Sequence, residues 1–167
     1  MDFVNFKKDL ERVVVFSDWK GKHQSFILSH FFVQLNSNLE TKSDWEIGYF
    51  DVKENKTTVF GLDESKSFVL KTTDEIMQGK EPVEELNLDE IKIEFGEAKE
   101  RVKTFLPKVF PELINLLGDG FCILQKFKGK TLWNFSFITK KLSMANIKLS
   151  AIDGEIISHE EVKFTSK

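Results

Sequence analysis

Three histidines, one cysteine and several paired carboxylates are the residues of this chain whose chemistry goes beyond packing. His23 and His30 stand seven positions apart. On a helix that spacing sets two imidazoles on one face, as a metal site needs. Residues 26–33, however, are rich in Phe, Ile, Leu and Val. On a strand an odd separation sends two side chains to opposite faces. A structural metal site also takes about four ligands, and no such grouping is visible, so no metal site is expected. His159 precedes Glu160 and Glu161, which together make a carboxylate-rich edge.

The pairs Asp63-Glu64, Asp74-Glu75 and Asp89-Glu90 sit among lysines in loop-like stretches. Acid–base catalysis requires a perturbed pKa in a cleft, and exposed loop carboxylates do not acquire one. Ser29 and His30 are adjacent, but a nucleophile and its base are defined by geometry in space, and strand neighbours face apart. Cys122, between Phe121 and Ile123, has the apolar company of a buried thiol. A nucleophilic thiolate needs an electropositive setting. Gly118-Asp119-Gly120 lacks the lysine and the preceding strand of a phosphate-binding loop, and is expected to be a turn. No catalytic or cofactor-binding residue is therefore assigned, and the chain is expected not to be an enzyme.

The bulk composition narrows the function classes further. The chain has 167 residues, 41% hydrophobic and 31% charged. That is enough to bury one core without staples, and a single cysteine excludes an internal disulfide. Seventeen phenylalanines are expected to pack that core. The net charge is −3, with 10 basic and 13 acidic residues through Gly79 and 14 of each after it. Neither half is a polycation of the kind that neutralises phosphates, so no nucleic-acid partner is expected. Lys126, Lys128 and Lys130 alternate and are expected on one solvated strand face. Apolar runs such as Val13 to Phe16 and Phe31 to Val33 are far too short to span a bilayer. The opening Met1 to Lys8 has no apolar core of a signal peptide. These two features predict a cytoplasmic protein without a membrane partner.

The elements that must position these residues follow from periodicity. Phe3, Phe6, Leu10, Val13 and Val14 fall at helical spacing over residues 2–14, with Asp2 as cap. Ser17 to Lys22 contains Gly21 and predicts a polar loop; Trp19 within it either anchors a partner or folds down over the core edge. Strands are predicted at Ser25–Leu35, Asp44–Val52, Thr57–Leu62 and Ser67–Thr72, then a short helical turn at Asp74–Met77. Residues 78–90 are an acidic connector, expected to face water. Ala98, Val102, Phe105, Leu106 and Val109 predict a helix that Pro107 kinks or ends. Pro111 starts a short second helix through Leu117. Four more strands follow, at Phe121–Phe127, Thr131–Thr139, Ala145–Ile152 and Ile156–Phe164. Asp153-Gly154 signals a two-residue hairpin between the last two. In the second of these strands Trp133, Phe135 and Phe137 alternate with Asn134, Ser136 and Ile138, the pattern of a sheet with one packed face.

The two halves share a grammar of helix and then antiparallel meander. Trp45 to Tyr49 matches Trp133 to Phe137 at an offset of 88, and Phe31 to Gln34 matches Cys122 to Gln125 at an offset of 91. The second half resembles a PepSY-like domain. The resemblance lies in Glu97-Ala98 opening a helix, the strand Trp133-Asn134-Phe135-Ser136-Phe137, and the ending Ile147 to Ile157 with Asp153-Gly154-Glu155 in its turn. It covers roughly residues 88–164 and makes the first half a degenerate copy. The resemblance implies a helix packed on an antiparallel sheet, as in cystatin-like folds. It also implies a module that binds or restrains partners, commonly outside the membrane and in peptidase propeptides. The fold expectation is α+β: antiparallel β-meanders, each packed on a preceding helix, with internal duplication. The units would be residues 1–79 and 80–167. The functional expectation is a non-catalytic binding or regulatory module, its partner another protein or a second copy. The alternatives are a small-molecule binder or enzyme with a pocket between curved sheet and helix, and a structural protein associating through exposed strands.

Overall fold

The computed structural model describes residues 1–75 and 81–164. Helix α1 spans Phe3–Glu11, and the Asp2 carboxylate accepts the Asn5 backbone N–H at 3.0 Å to cap it. A second helix, α2 (Val14–Lys22), follows where a loop was expected. Its propensity is poor, with three leading β-branched or aromatic residues and Gly21. Tertiary burial supplies what propensity lacks: Phe16 and Trp19, three apart, pack against Tyr49 and Phe60. Trp19 is 6% exposed, so it is core and presents no anchor to a partner.

The first meander is β1 (Phe26–Leu35), β2 (Glu46–Asp51), β3 (Lys56–Leu62) and β4 (Phe68–Glu75). Asp74 and Glu75 thus close a strand where a helical turn was expected, and residues 76 and 77 lie outside the described residues, as do 78–80 of the connector. Helix α3 (Phe95–Val109) buries Ala98, Val102 and Leu106, each four apart. Pro107 lies in its last turn without ending it at once; the helix closes at the Phe110 cap three residues later, whose N–H donates to Leu106 O at 2.9 Å. The second meander is β5 (Leu117–Phe127), β6 (Lys130–Thr139), β7 (Ser143–Ser150) and β8 (Ile156–Lys163).

Two local expectations fail here. The short helix after Pro111 is only a turn and a 3-10 segment at Ile114–Leu116. Gly118-Asp119-Gly120 is not a turn but the irregular start of β5, which pairs with β6. A Cβ at Gly120 would overlap the backbone carbonyl of Ser136, so only glycine lets these strands close. The Asp153-Gly154 signal marks a five-residue connection between β7 and β8 instead of a two-residue hairpin; Gly154 alone takes a positive φ, 77°.

All eight strands form one antiparallel sheet in the order β4-β3-β2-β1-β5-β6-β7-β8. The meanders join at the β1–β5 seam, where Phe31 pairs with Leu124, Phe32 with Ile123 and Val33 with Cys122. The helices contribute to one hydrophobic cluster on one face, with Phe31, Val33, Ile47, Tyr49, Phe60, Trp133 and Phe135 beneath them. Phe3 of α1 meets Phe31 and Trp45 at ring separations of 4.6 and 4.9 Å. Phe95 of α3 reaches Trp45 and Trp133 at 5.0 and 5.7 Å. Residues before and after the connector therefore share one core.

The connector is not simply solvated. The Glu84 carboxylate accepts the Gly129 N–H in the β5–β6 turn at 3.0 Å. Leu86 N–H donates to Leu28 O at 2.9 Å, and Ile93 N–H to Ala151 O at 2.9 Å. Glu90 accepts from Thr131 Oγ1 and lies 3.5 Å from Lys126 Nζ. Among the described residues, no helix is long and apolar enough to cross a membrane.

Candidate functional site

Strand alternation leaves a second face that no helix among the described residues covers. From β1 it presents Ile27, His30, Phe32 and Gln34, and from β5 Phe121, Ile123, Gln125 and Phe127, while their neighbours Leu28, Phe31, Val33, Cys122 and Leu124 point into the core. Along the seam Phe32, Phe121, Ile123 and Phe127 are half-buried, and the rings of Phe32 and Phe121 lie 5.7 Å apart at 30°. Phe50 of β2 and Leu132 of β6 are buried on the same face, outside the helix-side core. The result is an aromatic and aliphatic row across the middle of this face; Ile138, Met144 and Val162 add a second apolar group toward β8.

Polar groups stand beside the row on both flanks. On the β6–β7 side the Asn146 amide donates to Asn134 Oδ1 and Ser136 Oγ, and Lys148 Nζ donates to Asn146 Oδ1 at 2.8 Å. Lys128 and Lys148 lie over the Phe127 ring, 5.3 and 5.9 Å from its centre. On the β2 side, Glu46 has its carboxyl pushed up by burial, partly offset by Lys71. At the lower end of the seam Ser29, Pro82, Val83, Gln125 and Phe127 line an open hollow of about 510 Å³.

Ser29 and His30 depart from the strand rule. The β1 register shifts between Leu28 and His30, so Ser29 is a bulged residue. The bulge turns its hydroxyl to the same side as the next imidazole, with Oγ to Nδ1 at 3.0 Å. The His30 ring lies flat over Gly48, where a Cβ would overlap it. Burial lowers the His30 pKa to about 4, so the ring is neutral near pH 7. No carboxylate is among the groups that shift His30. Ser29 and His30 thus form a packed polar pair beside the seam.

The other singled-out residues scatter. Cys122 is buried, and burial pushes its thiol well above the ordinary range, so it is no nucleophile. His159 lies on the helix side, its ring 5.6 and 5.9 Å from Phe105 and Phe110, while Glu160 pairs across from Asn146 on the open face. Asp63 caps the β3–β4 turn by accepting from Ser65 and Ser67, which holds its carboxyl below the usual range. The three lysines do not share a face: Lys126 faces Glu90, Lys128 sits in the turn at φ 49°, and Lys130 opens β6.

His23 and His30 are indeed apart, but His23 finds partners that primary structure does not associate with it. It is the residue after α2, and its Nδ1 lies 2.7 Å from Asp51 Oδ2 and 3.7 Å from Glu54 Oε2. These three are the described His, Cys, Asp and Glu side chains that converge within metal-ligand range. Only the packing of α2 beside the β2–β3 turn brings them together, 28 residues apart along the chain for the closer pair.

Comparison with known proteins adds one likeness. No family model and no curated protein matches the chain. A solved structure assigned to a lipoprotein from Clostridium difficile 630 is similar over 87% of this chain and 88% of that one, at 12% identity and a TM-score of 0.48.

Proposed function

We propose that this chain is a non-catalytic binding module made of two PepSY-like units joined edge to edge, and that it takes another polypeptide on the open face of its sheet across the β1–β5 seam. The observation that carries this reading is the one-sided architecture. Among the described residues the helices pack on one face, and the uncovered face gathers Phe32, Phe121, Ile123 and Phe127 with Asn134, Ser136, Asn146 and Lys148 beside them. An apolar centre with a polar margin is the anatomy of a protein–protein interface.

The duplication is supported by the seam register. The sequence echo at offset 91 equates Phe31 with Cys122 and Val33 with Leu124. In the sheet Phe31 pairs with Leu124 and Val33 with Cys122. Equivalent residues thus exchange partners about the Phe32–Ile123 pair, as a local two-fold axis requires. Two first strands meeting in this way double the width of each unit's open face.

The space between helices and sheet offers little to a small molecule. Trp133, Tyr49, Phe31, Phe60, Phe135 and Phe137 fill it and are under 2% exposed. Site-specific photocrosslinking tests the reading. With p-benzoylphenylalanine at Phe121, cells expressing the protein are expected to yield a discrete adduct with another polypeptide, lost when Phe32→Asp is added. The same probe at Glu100, on the outer side of α3, is expected to yield none. Equal adducts from both positions, or none from Phe121, overturn the proposal. An adduct between two copies, with a dimer in sedimentation velocity, rejects it in favour of self-association.

A further inference from the structure

We propose that His23, Asp51 and Glu54 form a site for a divalent transition-metal ion of the zinc class. It lies at the end of the sheet where α2 meets the β2–β3 turn, apart from the open face, and does not depend on the function proposed above.

The donors come preset. Trp19, one helical turn before His23, is buried, and its indole N–H donates to Thr58 Oγ1 at 3.2 Å. The His23 ring stacks on that fixed indole at 4.6 Å and 17°, which holds the imidazole plane. Asp51 Oδ1 accepts the backbone N–H groups of Lys53 and Glu54 at 2.9 and 3.0 Å. Those bonds aim Oδ2 at His23. They also supply the outer-shell orientation that metal-ligating carboxylates receive. The Asp51 side chain is 5% exposed and that of Glu54 50%, so the site is closed below and open to solvent above.

The three donor atoms lie close to the spacing a small cation takes. Nδ1 is 2.7 Å from Oδ2 and 3.7 Å from Oε2, and no two of the three atoms are more than 4.8 Å apart. Tetrahedral ligands bonded at roughly 2.0–2.2 Å stand about 3.3–3.6 Å apart, so the 3.7 Å pair is already near that spacing, and His23 and Asp51, now hydrogen-bonded at 2.7 Å, would part by under about 1 Å to admit the ion. One imidazole and two carboxylates favour zinc or a neighbouring first-row ion. Calcium takes six to eight oxygens, and magnesium near-ideal octahedral oxygen shells. Three protein ligands leave a fourth position, on the exposed Glu54 side, for water. A hydrogen bond between His23 and Asp51 satisfies those two groups without a metal. It leaves the Glu54 carboxylate, 3.7 Å from the same nitrogen, without a hydrogen bond to it.

Chelator-treated full-length protein titrated with ZnCl₂ in a calorimeter tests the assignment. The expected result is one Zn²⁺ per chain, proton release on binding, and a melting temperature that climbs with ZnCl₂ concentration. Glu54→Gln, at a half-exposed turn position, is expected to melt like the parent without metal and to bind at least about tenfold more weakly. His23→Gln is expected to abolish binding, and His159→Gln to leave it intact. No saturable 1:1 uptake below ~1 mM, unchanged affinity in Glu54→Gln, or loss in His159→Gln would each overturn the proposal.

Discussion

Replacing Trp133 by Phe probes the joint on which both halves of the molecule depend. The indole is fully buried, and its N–H donates to the Ile93 carbonyl at 2.9 Å. Its ring lies 5.8 Å from Phe3, 6.4 Å from Trp45 and 5.7 Å from Phe95, so it touches α1, the approach to β2 and α3 together. Phenylalanine keeps the aromatic contact but removes the donor. A buried carbonyl left unpaired costs about 1–3 kcal/mol. The lost pyrrole ring removes apolar contact and leaves a partly collapsed void, about 2 kcal/mol more. The sum is about 3–5 kcal/mol, and for a chain of this size each kcal/mol lowers the melting temperature by roughly 2–4 °C, giving a fall of about 6–20 °C. Urea unfolding followed by far-ultraviolet circular dichroism, with scanning calorimetry alongside, measures both quantities. A loss under about 1 kcal/mol with an unchanged denaturant slope would refute the reasoning. It would mean that the Ile93 carbonyl finds water or that the two halves do not share this core.

Two further perturbations bear on the open face. The His30 imidazole has a folded pKa near 4 against an ordinary 6.5. Its depression means that the unfolded chain takes up a proton before the folded one does. The stability tied to it is therefore complete above about pH 6.5 and is lost as pH falls toward 4. Unfolding free energy measured from pH 7 to 4 is expected to decline, and His30→Gln to flatten that decline. An imidazole NMR titration midpoint near 6.5 would contradict the burial assigned to the ring. Gly120→Ala forces a methyl into the Ser136 carbonyl, a backbone atom that cannot rotate away. It is expected to cost at least about 1–3 kcal/mol and to loosen β5–β6 amide protection in hydrogen exchange. Retained protection would place the start of β5 elsewhere.

How far these features were legible varies by element, for physical reasons. The alternation in Trp133 to Ile138 marks a strand because each inward aromatic is visible two residues from the next, and β6 covers Lys130–Thr139. The same is true of β1, β2 and β3. Ser17 to Lys22 carries no such mark. Glycine and polar residues describe a loop locally, and it is Phe26, Tyr49, Thr58 and Phe60, supplied by the sheet, that stabilise the helix there. Gly118-Asp119-Gly120 has the composition of a turn, yet its glycines are needed so that β6 carbonyls can approach closely. The Ser29–His30 contact escaped because period-two reasoning holds only for regular strands, and a bulge adds one residue to the count.

What the chain specifies by itself is local: which segments alternate, which residues prefer burial, and that its lone cysteine bars an internal disulfide. Tertiary structure alone decides what meets what. Nothing local pairs β1 with β5 across some ninety residues, or brings His23 to Asp51 and Glu54. The physical reason is that strand periodicity tells a side chain which face to take, while its neighbours on that face are chosen by sheet order and by where the helices bury their own apolar stripes. The uncovered face, with Phe32 and Phe121 at its centre, exists only because α1, α2 and α3 all settle on the other side.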